Sequence, residues 1–416
     1  MRKLANLFLL LFVATATLGI ADEILHLSLG LHLLTGLQQL FWLGSIAVGT
    51  IVYLGLGFNR HLPKTILIPL FIWLFWSLID YWPVENIAGN YFKFCTSGGQ
   101  LLLGLAMLRL NRQRNHKSLL LVRSQFSGAP FSGRNLLRFS LISLLVVPVA
   151  LHLISYSLVG NLIKTNTAGF VQLKPNGLYM TERVYQQNEK QIRLVGMIHL
   201  GEEEFYDDLT ASIPGHQTLI LAEGVSDKGH LLTEQFSYGR IANLLGLTSQ
   251  EKINFPGKLI EVADLDDKRE ENQEIPDILR ADIDLQQFDS RTLEVLNAMA
   301  KYLLNGESLV SGYMAFNRWA EEHFSPDLNE IVMTDLISKR NRSVLGYLPK
   351  ALNRYDTVII PWGALHMQGI EKAVLATGFQ LKKSQTRQSI NFLSLPYQQL
   401  WKKIRGTVQP ADANET

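Results

Sequence analysis

Five uncharged apolar runs crowd the first 164 residues and constrain this chain more than any other feature. They cover 4–20, 40–58, 65–79, 94–108 and 139–159. Each approaches the roughly 20 residues with which an α-helix crosses a bilayer, once flanking positions are counted. The spacing predicts five transmembrane helices. The segment 24–37, with His26 and His32, is too short to cross alone and is expected to extend the first helix or lie at the interface. With no acidic partner in the helical pattern, its two histidines read as interfacial residues rather than metal ligands. A hydrophobic content of 47% is high for a wholly soluble protein, and the excess sits in this half.

Loop charges orient the bundle. Arg109, Arg112, Arg114, Lys117, Arg123, Arg134 and Arg138 fill the fourth connection without an acid, while Arg60 and Lys64 mark the second and Arg2 and Lys3 the start. By the positive-inside rule these are cytoplasmic. Asp22, Glu23, Asp80 and Glu85 fall in the alternate loops, so five spans put everything after residue 159 outside the cytoplasm, in the periplasm of a bacterium. The first run also fits a cleaved signal peptide, which leaves four spans and the same facing. Residues 1–164 hold 13 Lys and Arg against 4 Asp and Glu, and the rest 26 against 33. A basic anchor therefore precedes an acidic soluble half. The position of the basic loop beside membrane helices argues for the lipid bilayer as partner, not nucleic acid. Cys95 is the only cysteine and lies in the fourth run, so the soluble half contains no disulfide. Oligomeric state is left open.

From residue 165 to 400 the pattern is that of an α/β domain, followed by a polar tail at 401–416. Strands are expected at 169–174 and 177–186, and helices at 236–245, 290–304, 307–323 and 335–352, the last interrupted or ended near Pro349. The charged, aperiodic stretch 251–276 reads as a loop or lid, and 379–387 and 389–395 as two closing strands. Two motifs stand out: Gly196-Met197-Ile198-His199 and Gly363-Ala364-Leu365-His366, each ending a buried apolar run. Both histidines are expected just past a strand end, with helices following at 202–213 and 369–377. In open α/β sheets ligands collect at the carboxyl ends of strands, so this repeat can join two imidazoles 167 positions apart. A third apolar run, 217–222, ends in Glu223-Gly224. A carboxylate at the end of a buried strand needs a partner or a metal. His199, His366 and Glu223 thus form a candidate divalent-metal or acid/base site. His216, His230 and His323 lack strand-end context and read as surface or capping residues. No GxSxG, HExxH, Walker loop or dinucleotide fingerprint is present, which disfavours serine hydrolases, zincins, nucleotide enzymes and dehydrogenases.

The order of GxxH, an apolar strand ending in glutamate and a second GxxH resembles the TraB/TIKI family, which includes the pheromone-shutdown and GumN-like proteins. The resemblance covers about residues 169–392. Arg340-Asn341 resembles the Arg-Asn pair that precedes the family's second motif, and Asp282 is similar to its acidic strand end. Gly201 and Lys339 depart from the pattern, where relatives carry a small polar residue and an acid. The resemblance implies an α-helical membrane bundle followed by an α/β domain with a central mixed sheet, of the EreA/ChaN-like superfamily. It further implies a metal-dependent, metalloprotease-like hydrolase acting on a peptide or a small amide or ester. His199, Glu223 and His366 would hold manganese, cobalt, iron or zinc, or two of them would hold it while the third takes a proton. Arg340 would clamp the oxyanion or form a helix-surface ion pair, with Gly196, Gly363, Asn341 and Asp282 in support. Two rival readings are a domain that binds haem or a metal chelate without turnover, as in ChaN-like proteins, and a membrane sensor with an inactive ectodomain.

The charge pattern makes a direct prediction. A reporter active only outside the cytoplasm should signal when fused after Ser394 and stay silent after Lys117; the opposite result overturns the span count.

Overall fold

In the computed structural model the chain divides into two compact units, Met1–Val159 and Gly160–Thr416, a boundary slightly before the expected residue 164. The structure describes residues 1–81, 91–114, 118–234, 238–250, 253–266, 274–305 and 309–404. Glu85, Lys117 and residues 405–416 of the expected tail lie outside them, as do parts of the stretch 251–276 and the first residues of the helices expected at 236 and 307.

All five apolar runs are helical: α1 (Arg2–Leu29), α2 (Thr35–Phe58), α3 (Lys64–Ser77), α4 (Phe92–Arg114) and α5 (Gly133–Asn166). Among the described residues three of them, α1, α2 and α5, are long and apolar enough to cross a membrane, and α3 is a shorter apolar helix. Phe8, Leu9 and Phe12 of α1 bury against Val52, Leu67 and Leu70, and Phe8 stacks on Phe71 with centroids 5.1 Å apart. The first helix runs on to Leu29 and stops on Gly30, whose φ of 70° suits glycine. His32 does have an acidic partner, contrary to the sequence reading. Its Nδ1 lies 2.9 Å from Asp22, whose carboxylate also accepts from Leu34 N and Thr35 Oγ1. Asp22 therefore ties the loop to the start of α2.

The second unit is built on a mixed eight-stranded sheet. Its strands are β1 (Val171–Lys174), β2 (Gly177–Gln187), β3 (Lys190–Met197), β5 (Thr218–Ala222), β7 (Lys258–Ile260), β8 (Asp277–Arg280), β9 (Thr357–Gly363) and β10 (Gln380–Asn391). The order is β1-β2-β3-β9-β5-β8-β7, with β10 also on β2. Neighbours from β3 to β7 run parallel, and pairings to β2 are antiparallel. Parallel strands covered on both faces must be apolar throughout. Accordingly Leu219, Ile220, Leu221, Val358, Ile359 and Ile360 are all fully buried. A separate two-stranded pair, β4 (Leu200–Gly201) with β6 (Thr248–Ser249), follows the first GxxH motif.

The helices of this unit are α6 (Glu203–Ala211), α7 (Gly239–Leu245), α8 (Ser290–Ala298), α9 (Leu309–His323), α10 (Leu328–Met333), α11 (Arg340–Arg354), α12 (Ala364–Ala376) and α13 (Tyr397–Ile404). Several expectations need correction. The supposed loop 251–276 contains β7, which extends the sheet beside β8. The two closing strands are one, β10, with a register irregularity between Gln388 and Ile390 where the break was expected. Pro349 does not end α11, which runs to Arg354, and α13 continues past residue 400. Between α10 and α11 the helix widens into π-type turns over Thr334–Lys339.

Glu182 of β2 locks the antiparallel side to the rest. It is 3% exposed, and its Oε1 lies 2.7 Å from Arg193 Nη2 of β3 while Oε2 accepts from Arg387 and Gln385 of β10. Burial would raise its carboxyl, but the two arginines outweigh that and hold it below the usual range. Replacing one member of a buried ion network leaves uncompensated charge, at a cost of about 3 kcal/mol or more. Glu182→Gln should lower the denaturation midpoint accordingly, measured by near-ultraviolet circular dichroism of the purified chain.

Candidate functional site

Four adjacent parallel strands deliver the expected residues to one edge of the sheet. β3 and β9 pair with Gly196 opposite Trp362 and Met197 opposite Gly363, so the two GxxH motifs are direct neighbours. β5 pairs with the other side of β9 and β8 with the other side of β5. Glu223 follows β5 and Asp282 follows β8 by two residues. In space the strand of the second histidine lies between those of the first histidine and the glutamate.

The two motifs are not equivalent. His199 lies beyond the end of β3 and is exposed; its carbonyl accepts from Gln250 N, and its ring stacks on Tyr238 with centroids 4.8 Å apart and planes 8° from parallel. His366 does not sit on a loop, because α12 begins directly after Gly363, five residues before the expected start. The imidazole therefore sits in the first helical turn, 4% exposed. The glycines differ as well. A Cβ on Gly196 would come within 3.3 Å of the Phe170 and Thr181 carbonyl oxygens, a tight contact that the backbone there would have to give way to accommodate. At Gly363 the nearest atoms, on Glu223 and His366, are 3.5 Å away, an ordinary contact. Its role is in the backbone, since Gly363 N donates to Glu223 Oε2 at 2.5 Å.

The remaining contacts form one network. Arg340 Nη2 donates to Glu223 Oε1 and to Asp282 Oδ2, both at 2.7 Å, and its Nε lies 3.0 Å from Asp282 Oδ1. Asp282 also accepts from Gly224 N at 3.0 Å. Arg340 is thus no helix-surface residue: its side chain is 12% exposed. Burial works against its charge, yet Asp282 and Glu223 prevail and raise its pKa further. Among the described residues Nη1 is the one guanidinium nitrogen with no protein partner. Asn341 Nδ2 donates to the His366 carbonyl, which leaves Oδ1 to accept from His366 Nδ1 at 2.8 Å. Nδ1 therefore carries the proton, and Nε2 is a bare lone pair. Burial foremost, with the nearby positive charge of Arg340, pushes the His366 pKa down to about 3 against an opposing pull from Asp282.

The consequence is chemical. His366 Nε2 and Glu223 Oε1 lie 3.6 Å apart with no proton to share. A water donating to both would hold them about 4.4 Å apart at ordinary hydrogen-bond lengths. Two donors to one ion at about 2.1 Å each, in tetrahedral arrangement, stand about 3.4 Å apart. The observed spacing is nearer the second, so it leaves room for both atoms to face one ion. Among the described residues, however, no three His, Cys, Asp or Glu side chains converge closely enough to hold one. With Asp282 held by Arg340, His199 is the other donor on this edge.

The residues assigned to the candidate site from the sequence lie at this edge or beside it: His199, Glu223, His366, Arg340, Asn341 and Asp282, with Gly196 and Gly363 in the strands. Sequence reasoning missed Tyr238 and Trp362. The indole of Trp362, donating to Leu221 O at 2.9 Å, packs edge-on to His366 at 5.2 Å and lies 5.5 Å from the Arg340 guanidinium. Its place within a GxxH-bearing strand was the available signal; for Tyr238 there was none. No family model, curated protein or solved structure matches the chain.

The depressed pKa of His366 has a measurable sign. In chelator-treated protein the folded state keeps this ring neutral down to about pH 3, whereas the unfolded chain takes up a proton near pH 6.5. Its contribution to stability is complete above pH 6.5 and declines as pH falls towards 3, by up to about 1.4 kcal/mol per pH unit. Denaturation midpoints measured from pH 8 to 4 should show this loss in wild type. In His366→Gln the slope should flatten; an unchanged slope contradicts the buried neutral imidazole.

Proposed function

We propose that the chain is a membrane-anchored, metal-dependent hydrolase of the TraB/TIKI kind. It would cleave a peptide bond, or a small amide or ester, on the extracytoplasmic side of the membrane. The observation that carries this is the unprotonated Nε2 of His366 facing Glu223 Oε1 at 3.6 Å, beside an arginine already charged and held in place. The sequence resemblance supports the same assignment. The apolar helices support the anchor, with α3 and α4 added to the three long ones to make five spans.

His366 and Glu223 would hold the ion, with His199 as a third donor or as the group that takes a proton. When bound, the ion supplies Lewis acidity and lowers the pKa of water at the site. Manganese, cobalt, iron and zinc all suit mixed nitrogen and oxygen donors. The chain's own contribution is preorganisation. Asn341 fixes the tautomer and plane of His366, as partners of metal-binding imidazoles do. Gly363 N and Arg340 orient the Glu223 carboxylate from both sides. Asp282 keeps Arg340 in place, leaving Nη1 to stabilise negative charge developing on a carbonyl oxygen. Exposed His199, held among the described residues through its backbone and its stack on Tyr238, would be able to turn during a cycle.

The full-length chain, purified in detergent, tests this. Wild type should carry a stoichiometric transition metal, and a peptide library should reveal cleavage that chelator stops. His366→Ala and Glu223→Gln should lose the metal and at least about a hundredfold in rate; His323→Ala, remote from these motifs, should retain both. Motif variants that keep full metal content and activity would sink the site. Variants that unfold by circular dichroism would show these residues to be structural.

A further inference from the structure

Helix α11, with Lys339 just before it, presents two faces to two different tasks. Asn341, Val344, Leu348 and Ala351 point into the core, where Asn341 holds His366. On the adjoining face Lys339, Arg342, Ser343 and Tyr347 recur at three- and four-residue intervals and line a groove of about 630 Å³. The opposite wall includes Lys228 and Asp282. Because Asp282 is also bound to Arg340, the groove opens beside the proposed active site.

The charges in the groove are unequally satisfied. Asp282 is matched by Arg340, and Lys339 by Asp335 at 2.6 Å. Asp284, the other acid on the wall, accepts from Ser226 Oγ and from the amides of Lys228 and Gln286, which hold its pKa below the usual range. The cations without an ion pair are Lys228, whose charge bears on Asp284 from beyond ion-pair distance, and Arg342. Neither meets a carboxylate within ion-pair distance among the described residues, and the one contact of the Arg342 side chain is a long 3.5 Å bond to Ser338 O. The half-buried hydroxyls of Ser343 and Tyr347 likewise have no hydrogen-bond partner among the described residues. Two cations outside any ion pair and two unpaired hydroxyls, among the described residues, in an open groove are complementary to an anion with several acceptor oxygens.

We propose that this groove is a subsite for a carboxylate of the substrate, placed next to the scissile bond by Arg342 and Lys228. The assignment rests on the hydrolase proposed above and narrows its substrates to acidic ones. The carboxylate belongs either to an acidic side chain or to a chain terminus, since both present the same two oxygens. Arg342 offers the planar fork that suits a carboxylate, Lys228 adds a point charge, and the hydroxyls take remaining lone pairs.

Binding tests this without turnover. Four fluorescein-labelled alanine peptides, bearing one central Glu or Gln and ending in a free acid or an amide, are titrated onto the full-length chain by fluorescence anisotropy in chelator. Each carboxylate should improve affinity about tenfold over the Gln amide, the magnitude of a charge-assisted contact, and the gain should shrink with salt. A gain for the Glu amide alone assigns the site to a side chain, and for the Gln acid alone to a terminus. Arg342→Gln and Lys228→Gln, both at exposed positions, should each reduce the gain severalfold. Arg342→Glu should bind a Lys peptide better than the Glu peptide. Equal affinity for all four peptides, or a gain that survives the double Gln variant, overturns the subsite. The two proposals fail separately: selective binding without cleavage in metal-replete protein leaves the groove and removes the hydrolase, while cleavage without selectivity does the reverse.

Discussion

The site depends on one cation. Glu223 and Asp282 reach the same edge of the sheet from adjacent strands, with side chains 7% and 1% exposed, and two carboxylates that close and that dry cannot both stay ionised without compensation. Arg340 Nη2 bridges them at 2.7 Å on each side. Its single charge against two leaves one net negative charge beside a neutral His366. That imbalance distinguishes this edge from a closed structural ion pair, and it is the feature on which the proposed metal site rests.

The helix that supplies Arg340 explains how such a network can be rigid. Arg340 and Asn341 are consecutive residues, so they project on neighbouring faces of α11 and grip different partners: the carboxylates, and the imidazole with its own backbone carbonyl. The π-type turns over Thr334–Lys339 immediately before them alter the phase of the helix at this point, a feature often found where side chains must be aimed. Buried Asp335 anchors those turns by accepting from Asp289 N and pairing with Lys339.

Much of this was legible in the sequence because the parallel strands are buried on both faces, which writes them as unbroken apolar runs, and because their ends carry the polar residues. Glu223 and both histidines were therefore identifiable, as were the five apolar helices; Asp282, which follows a strand with Asp277 and Arg280 at its ends, was reached only through the family resemblance. What was not legible depended on tertiary pairing. Local pattern does not reveal that β9 inserts between β3 and β5, nor that a three-residue strand at Lys258–Ile260 hides in a charged stretch, since it needs only β8 beside it. Pro349 was expected to break α11, yet a helix packed along Val344, Leu348 and Ala351 tolerates the loss of one backbone hydrogen bond. The Asp22 to His32 contact was missed because a turn after Gly30 folds the chain back, which helical spacing does not anticipate.

The difference between the two GxxH motifs follows from what each strand runs into. After Met197 the chain pairs briefly as β4 before α6 begins, so His199 is left outside. After Gly363 the chain turns at once into α12, and the first turn carries His366 down onto Trp362 and Asn341. Among the described residues, one histidine is thus buried against Trp362 and Asn341 and the other is held by its backbone and one stacked ring. The two imidazoles therefore differ in how firmly the surrounding chain holds them, one buried in a helical turn and one exposed beyond a strand end. The same four-residue motif supplies them because the element that follows it, not the motif itself, determines how much each imidazole is buried.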